Sequence, residues 1–140
     1  MASVQCNIVS TERSIFAGEV TQLSATGTEG ELGIMPGHSP LLTELAPGPV
    51  YLTRESGEEE IYYVSGGFLE VQPDVISVLA DTADRARDID EAEAERARDE
   101  ARRALDEQHS ELDYSRALAE LAEATARLRT LSQLRNRRGS

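Results

Sequence analysis

Val4, Cys6 and Ile8 are apolar and alternate with Gln5 and Asn7, the two-residue period of a strand with one buried face. Further β-like runs are Val20–Ala25, Val50–Thr53, Ile61–Val64, Gly67–Val71 and Val75–Leu79. Turn-forming pairs separate them: Thr26-Gly27, Glu29-Gly30, Pro36-Gly37, Pro47-Gly48-Pro49, Ser56-Gly57 and Pro73-Asp74. Many short strands at roughly 8–12-residue spacing predict an antiparallel sandwich or barrel. Glu58, Glu59 and Glu60 mark a hairpin flank, where charge discourages edge pairing.

Past Val75 the pattern changes class. All five prolines and nine of the ten glycines precede that residue, and neither type recurs until Gly139. Asp88-x-x-Glu91 has the form of a capping box and opens a run of Ala, Glu and Arg. Its seam is Ala94, Ala97, Ala101, Ala104 and Leu105. Gln108 to Leu112 interrupts the pattern, and Asp113 can cap a second helix. There Tyr114, Leu118, Leu121, Thr125 and Leu128 follow a 4,3,4,3 rhythm that Leu131 and Leu134 extend. The reading is a β-sandwich over residues 1–84 and an antiparallel two-helix hairpin over residues 85–140. Alanine lets two backbones approach closely but buries little area. Five leucines contribute about 1.5–3 kcal/mol each if fully buried, against a backbone ordering cost of roughly 1–2 kcal/mol per residue. Such a hairpin must lean on the sandwich or on a partner, and it can move if the two are close in energy.

Charge sharpens the division. The 140 residues carry 26 acids and 14 basic residues, all arginine, for a net charge of -12. Residues 113–140 run against this, with six arginines and three acids. An acidic body with a basic tail argues against nucleic-acid binding and against broad adhesion to anionic lipid. Cys6 is the single cysteine, so no disulfide framework is possible within the chain. No run of 18 apolar residues predicts a membrane span. The start lacks a basic segment followed by an apolar one, and the expectation is a reduced, cytosolic compartment.

Signals for catalysis are poor. His38 and His109 each precede a serine, but neither serine sits in a Gly-x-Ser-x-Gly elbow. Two distant histidines, without His-x-x-x-His or Cys-x-x-Cys, do not make a zinc site. Asp81, Asp84, Asp88 and Asp90 lack the glycine and ligand order of a calcium loop. Without lysine there is no phosphate-binding Gly-x-x-x-x-Gly-Lys motif.

The most distinctive stretch is Glu29-Gly30-Glu31-Leu32-Gly33-Ile34-Met35-Pro36-Gly37-His38-Ser39-Pro40-Leu41-Leu42. A second is Ser65-Gly66-Gly67-Phe68-Leu69-Glu70-Val71, followed by Val78-Leu79-Ala80-Asp81. Together they resemble the epsilon subunits of F-type ATP synthases, and the resemblance runs the length of the chain, including the Leu112-Asp113-Tyr114 joint. It implies a ten-stranded sandwich followed by a helical hairpin. It implies a non-catalytic subunit of the central rotor stalk, bound to the gamma subunit above the ring of c subunits, on the cytoplasmic face of a bacterial membrane. The sandwich would couple ring rotation to the catalytic head. The helices would extend along gamma and block ATP hydrolysis by the alpha and beta subunits. Residue by residue, the loop holding Glu31 and His38 would face the c-ring, and Leu41 and Leu42 would touch gamma. Arg116, Arg127, Arg129 and Arg135, with Leu121 and Leu128, would form the inhibitory face toward an acidic beta-subunit segment. Arginine suits that task because its fork pairs a carboxylate through two hydrogen bonds.

One departure bears on ligands. Some relatives of the family bind ATP on the folded hairpin through Ile/Leu-Asp-x-x-Arg-Ala. Here Ile89 and Asp90 match, but Glu93 stands at the arginine position. A carboxylate would face the nucleotide where a cation is wanted, so no cofactor is expected. The alternative reading is an ATP-sensing subunit whose folded hairpin binds nucleotide.

Overall fold

The computed structural model describes residues 2–107 and 110–138. His109 therefore lies outside the described residues, as does part of the interruption expected from Gln108 onward. Nine strands precede two helices among the described residues: β1 (Val4–Ser10), β2 (Ser14–Gly27), β3 (Gly30–Ile34), β4 (Leu41–Leu45), β5 (Gly48–Arg54), β6 (Glu59–Val64), β7 (Gly67–Val71), β8 (Val75–Ala80) and β9 (Ala83–Arg85). A 3₁₀ turn at Ala86–Asp88 leads to α1 (Glu91–Asp106) and α2 (Glu111–Arg138). The expected sandwich-plus-hairpin is present, with nine strands rather than ten. No helix is long and apolar enough to cross a membrane among the described residues.

The 14-residue β2 organises the sandwich. Its first half pairs with β1, and its second half pairs with β3 on one edge and β5 on the other. One layer runs β1-β8-β7-β4, with β1 and β8 parallel; the other continues from β2 through β5 and β6 to β9. Inward residues at period two fill the space between: Cys6, Ile8, Val20, Leu23, Val50, Leu52, Leu69, Ile76 and Val78 are all at most 1% exposed. The core cluster ends at Ala83 and takes nothing from the helices.

Strands β3, β4 and β9 are absent from the expected set. Gly27, the last residue of β2, and Gly30, the first of β3, face each other across a tight hairpin. A side chain at Gly27 would meet the Gly30 carbonyl at 2.8 Å. Pro47-Gly48-Pro49 likewise read as a turn, yet Gly48 and Pro49 already pair with Val64 and Tyr63. β9 pairs with the second half of β6 and leaves the Glu59–Glu60 end as the charged edge. Gly67 is required where β7 crosses β8, since a Cβ there would fall 2.1 Å from the Leu79 carbonyl oxygen at a φ of +134°.

The helix caps also differ. Asp90, not Asp88, caps α1 by accepting from the Glu93 amide at 3.1 Å. Ser110, not Asp113, serves α2, its hydroxyl accepting from the Asp113 amide at 3.3 Å. The seam of α1 holds as read, with Ala94 and Ala101 buried. In α2 the 4,3,4,3 rhythm is right but its frame is shifted. Ala117, Ala124 and Leu131 are buried, while Tyr114 and Leu118 are 50% and 44% exposed. Alanines spaced by seven on both helices permit the closest approach of the two backbones. That packing turns the Tyr114–Leu118 stripe outward. α2 then lies over β5 and β6, whereas α1 rests on α2. Thr130, fully buried, satisfies its hydroxyl on the Ala126 carbonyl at 2.7 Å.

Candidate functional site

Two surfaces, one on each layer, carry the residues that no packing role explains. The first is the outer face of β4, β7 and β8. Alternation along β7 buries Leu69 and Val71 and leaves Phe68 outside with Glu70. Phe68 is 49% exposed and pairs across the strands with Leu79, also 49% exposed. Leu42 is 66% exposed and lies on the same face, opposite Glu70. Leu41, by contrast, is turned inward and packs against the core. Of the pair Leu41 and Leu42, only Leu42 is offered to a partner. Phe68 and Leu79 were missed by the sequence reading, although their place in a strict alternation with buried residues is the signal that puts them outside.

The second surface is the face of β2, β3, β5 and β6 that α2 partly covers. Arg127 lies over the Tyr63 ring at 5.2 Å, and Arg137 over the Tyr51 ring at 4.6 Å. Arg137 also meets Glu59 at 2.6 Å, and Arg135 meets Glu91 of α1 at 2.5 Å. A Cβ on Gly48 would fall 2.8 Å from Nη2 of Arg129 and 2.8 Å from Oγ1 of Thr26, so glycine makes room for that guanidinium. Burial raises the Tyr51 hydroxyl pKa; Arg137 and Arg129 work against that rise and Glu31 adds to it. Burial likewise raises Tyr63, opposed by Arg127. The Tyr63 hydroxyl and the Arg127 Nε are both buried, and among the described residues neither meets strict hydrogen-bond geometry, so the guanidinium is held against the ring. Arg116 stands apart on the exposed first half of α2, and Leu121 and Leu128 are half-buried.

Glu31 and His38 sit on different elements. Glu31 is on β3, not in the loop expected to hold it, with its carboxylate accepting from the Thr26 hydroxyl at 3.4 Å. Three residues of strand, roughly 10 Å at about 3.3 Å each, separate it from Ile34, where the loop begins. His38 is exposed in that loop, its Nδ1 2.7 Å from the Ser39 carbonyl oxygen. Ser110 is engaged as a helix cap. Cys6 is fully buried, and burial pushes its thiol up to about 12, the state of an inert structural cysteine.

A cavity of about 230 Å³ lies where the resemblance would put a nucleotide. It is lined by Asp84, Asp88, Ile89, Asp90, Glu93 and Arg127. Four of those side chains are carboxylates, of which Asp90 already caps α1, and they are set against one guanidinium. That set repels a triphosphate, and the residues present do not fit ATP.

The family described as ATP synthase, Delta/Epsilon chain, beta-sandwich domain matches residues 3–86, and its companion, the long alpha-helix domain, matches residues 87–132. A relative from Chromohalobacter salexigens, named ATP synthase epsilon chain, is 66% identical over 137 residues, covering 98% of this chain and 97% of its own. Among solved structures, a chain of the Euglena gracilis mitochondrial ATP synthase, in a complex of OSCP, F1 and c-ring, superposes with a TM-score of 0.84. It is 24% identical and covers 94% of this chain and 82% of that one. A chain of the Tetrahymena thermophila central stalk and c-ring gives 0.64 at 14% identity, covering 93% and 97%. At those identities the two structures show a shared fold.

Proposed function

Since this chain belongs to the ATP synthase delta/epsilon family as an epsilon-type member, we propose that it is a non-catalytic rotor subunit that couples the c-ring to the head and restrains ATP hydrolysis through its helices. The sandwich docks on gamma through Leu42, Phe68 and Leu79. Glu31 and His38 address the c-ring from β3 and the loop after it. The extended α2 presents Arg116, Arg127, Arg129 and Arg135 to an acidic segment of the catalytic subunits, and Leu121 and Leu128 with them. The chain works at the cytoplasmic face of a bacterial membrane without entering it.

The observation that carries this reading is the division of surfaces. The apolar patch is on the layer opposite the hairpin, so a stalk partner and a mobile hairpin do not compete for one face. The hairpin adds no side chain to the core cluster, and its inner seam is mostly alanine. It can therefore leave without unfolding what it leaves behind. The Tyr114–Leu118 stripe, exposed in the folded hairpin, is available to a partner at once.

Glu31 tests the ring contact. It is exposed and its hydrogen bond to Thr26 is long. Glu31→Lys should therefore leave stability within about 0.5 kcal/mol. Proton-driven ATP synthesis by the reconstituted enzyme should fall all the same, because the ring meets the opposite charge. Normal synthesis by the mutant assembly would remove Glu31 from the contact.

A further inference from the structure

The four arginines that precede the hairpin all lie off the strands β1, β4, β7 and β8. Arg54 is on Glu60 and over the Phe16 ring. Arg13 and Arg85 line one small cavity, and Arg85 and Arg87 another. The four strands themselves hold no basic residue. Glu44 and Glu70 are on them, and Asp74 and Asp81 follow β7 and β8. Beside Phe68 this anionic face is indented. A cavity of about 320 Å³ is lined by Thr28, Glu44, Leu45, Pro47, Phe68 and Asp81. Glu44 stands opposite Phe68 across the strand pair. The Asp81 carboxylate lies over Gly66: at a φ of +123°, a Cβ there would be 3.5 Å from Oδ2 and 3.5 Å from the Leu45 carbonyl oxygen. The Ser65 hydroxyl, on the same wall, is taken up by the Thr82 amide at 2.9 Å. Among the described residues, neither the Glu44 nor the Asp81 carboxylate has an ion pair.

We propose that this cavity is the socket for one cationic side chain, arginine or lysine, of the subunit that docks on the Phe68 face. The proposal rests on the docking reading above and adds the chemistry of the partner's surface. A long basic side chain has an apolar stem and a charged head. The cavity offers Phe68, Leu45 and Pro47 to the stem, and Glu44 and Asp81 to the head. Both carboxylates are exposed in the free chain and keep their hydration there. A docked partner removes that water. An apolar residue set into the cavity would strand two like charges, whereas a cation pairs them where the local dielectric is low. Leu42, Phe68 and Leu79 therefore supply affinity, and the socket selects a basic partner surface and fixes its register.

The test measures binding of the full chain to a synthase complex lacking it, across a salt series. Glu44→Gln/Asp81→Asn keeps both shapes, and both positions are exposed and outside the core cluster, so the variant should fold. Its affinity should fall about tenfold at low salt, and the gap should narrow as salt rises. Asp74→Asn removes an exposed acid that does not line the cavity and should bind within about twofold of wild type. A water-soluble carbodiimide joins a carboxylate to an amine but not to a guanidinium, and so sorts the two cations. A crosslink to the partner that the double variant loses identifies lysine. The tenfold loss without a crosslink identifies arginine. A loss as large in Asp74→Asn reduces the effect to the net charge of the face and overturns the socket. Wild-type affinity in Glu44→Gln/Asp81→Asn, with weak binding by Leu42→Ser/Phe68→Ser, overturns the socket and leaves the docking reading standing. Wild-type affinity in both double variants overturns the docking reading and the socket with it.

Discussion

Replacing Leu42 and Phe68 together by serine should cost this chain its place on the stalk. Both side chains stand outside a folded sheet, 66% and 49% exposed, so their removal creates no cavity. Phe68 lies next to Leu79 across one strand pair, and Leu42 lies one row along the same face, with Glu44 opposite Phe68 and Glu70 opposite Leu42. An apolar centre with a charged rim is the anatomy of a binding patch. An aromatic anchor at such a centre accounts for about 2 kcal/mol or more of binding. Losing it with Leu42 should weaken binding to a synthase complex lacking this chain by roughly 30-fold or more. Circular dichroism and thermal melting of the isolated variant should match wild type to within the strand-propensity loss, about 1 kcal/mol at most. Unchanged binding would move the gamma contact to another face.

Ending the chain at Arg87 should have the opposite effect on activity. The core cluster runs from Val4 to Ala83, and β9, at Ala83–Arg85, survives the cut with its pairing to β6. The truncated sandwich should fold and bind the synthase within about twofold of wild type. What it loses is the cover of α2 over Tyr51 and Tyr63, a surface loss rather than a core loss. ATP hydrolysis by the assembled enzyme should rise by about tenfold, the ratio a docking preference of 1.4 kcal/mol imposes. Synthesis should persist, because coupling stays with the sandwich. A truncated chain that no longer binds would merge the two roles that this division separates.

The sandwich was legible where alternation is strict. Val4, Cys6 and Ile8 announce β1 because each apolar residue has a polar neighbour. Strand β3 was not, because Glu29-Gly30 and Pro36-Gly37 read as turns on either side, while Gly30 and Gly33 in fact pair with Gly27 and Ser24 of β2. A short strand paired at every position but poor in side chains leaves little pattern. In α2 the leucine rhythm marked the packed face from Leu121 through Leu128 to the buried Leu131, but not at Tyr114, Leu118 and Thr125, which are exposed. The sequence offers two stripes, one of leucine and one of alanine, and nothing in it says which one the neighbour takes. The neighbour, α1, is itself alanine-lined, and small faces small. The sites divide in the same way. Arg127, Arg135 and Arg137 stand out in an acidic chain, and the structure gives each a specific partner. Tyr51 and Tyr63 were not singled out, because a tyrosine in a strand reads as core, and Glu59 was read only as part of a charged hairpin flank. Their role exists only where α2 meets the sheet, a contact of residues more than 60 positions apart for Arg127 and Tyr63.

The orientation of the sandwich on the stalk is the central claim, and a photo-crosslinking amino acid at position 68 of the assembled enzyme tests it most directly. Position 68 should yield an adduct with gamma, in full-length and Arg87-truncated chains alike. An adduct with the c subunits or with the catalytic head, and none with gamma, would contradict the account.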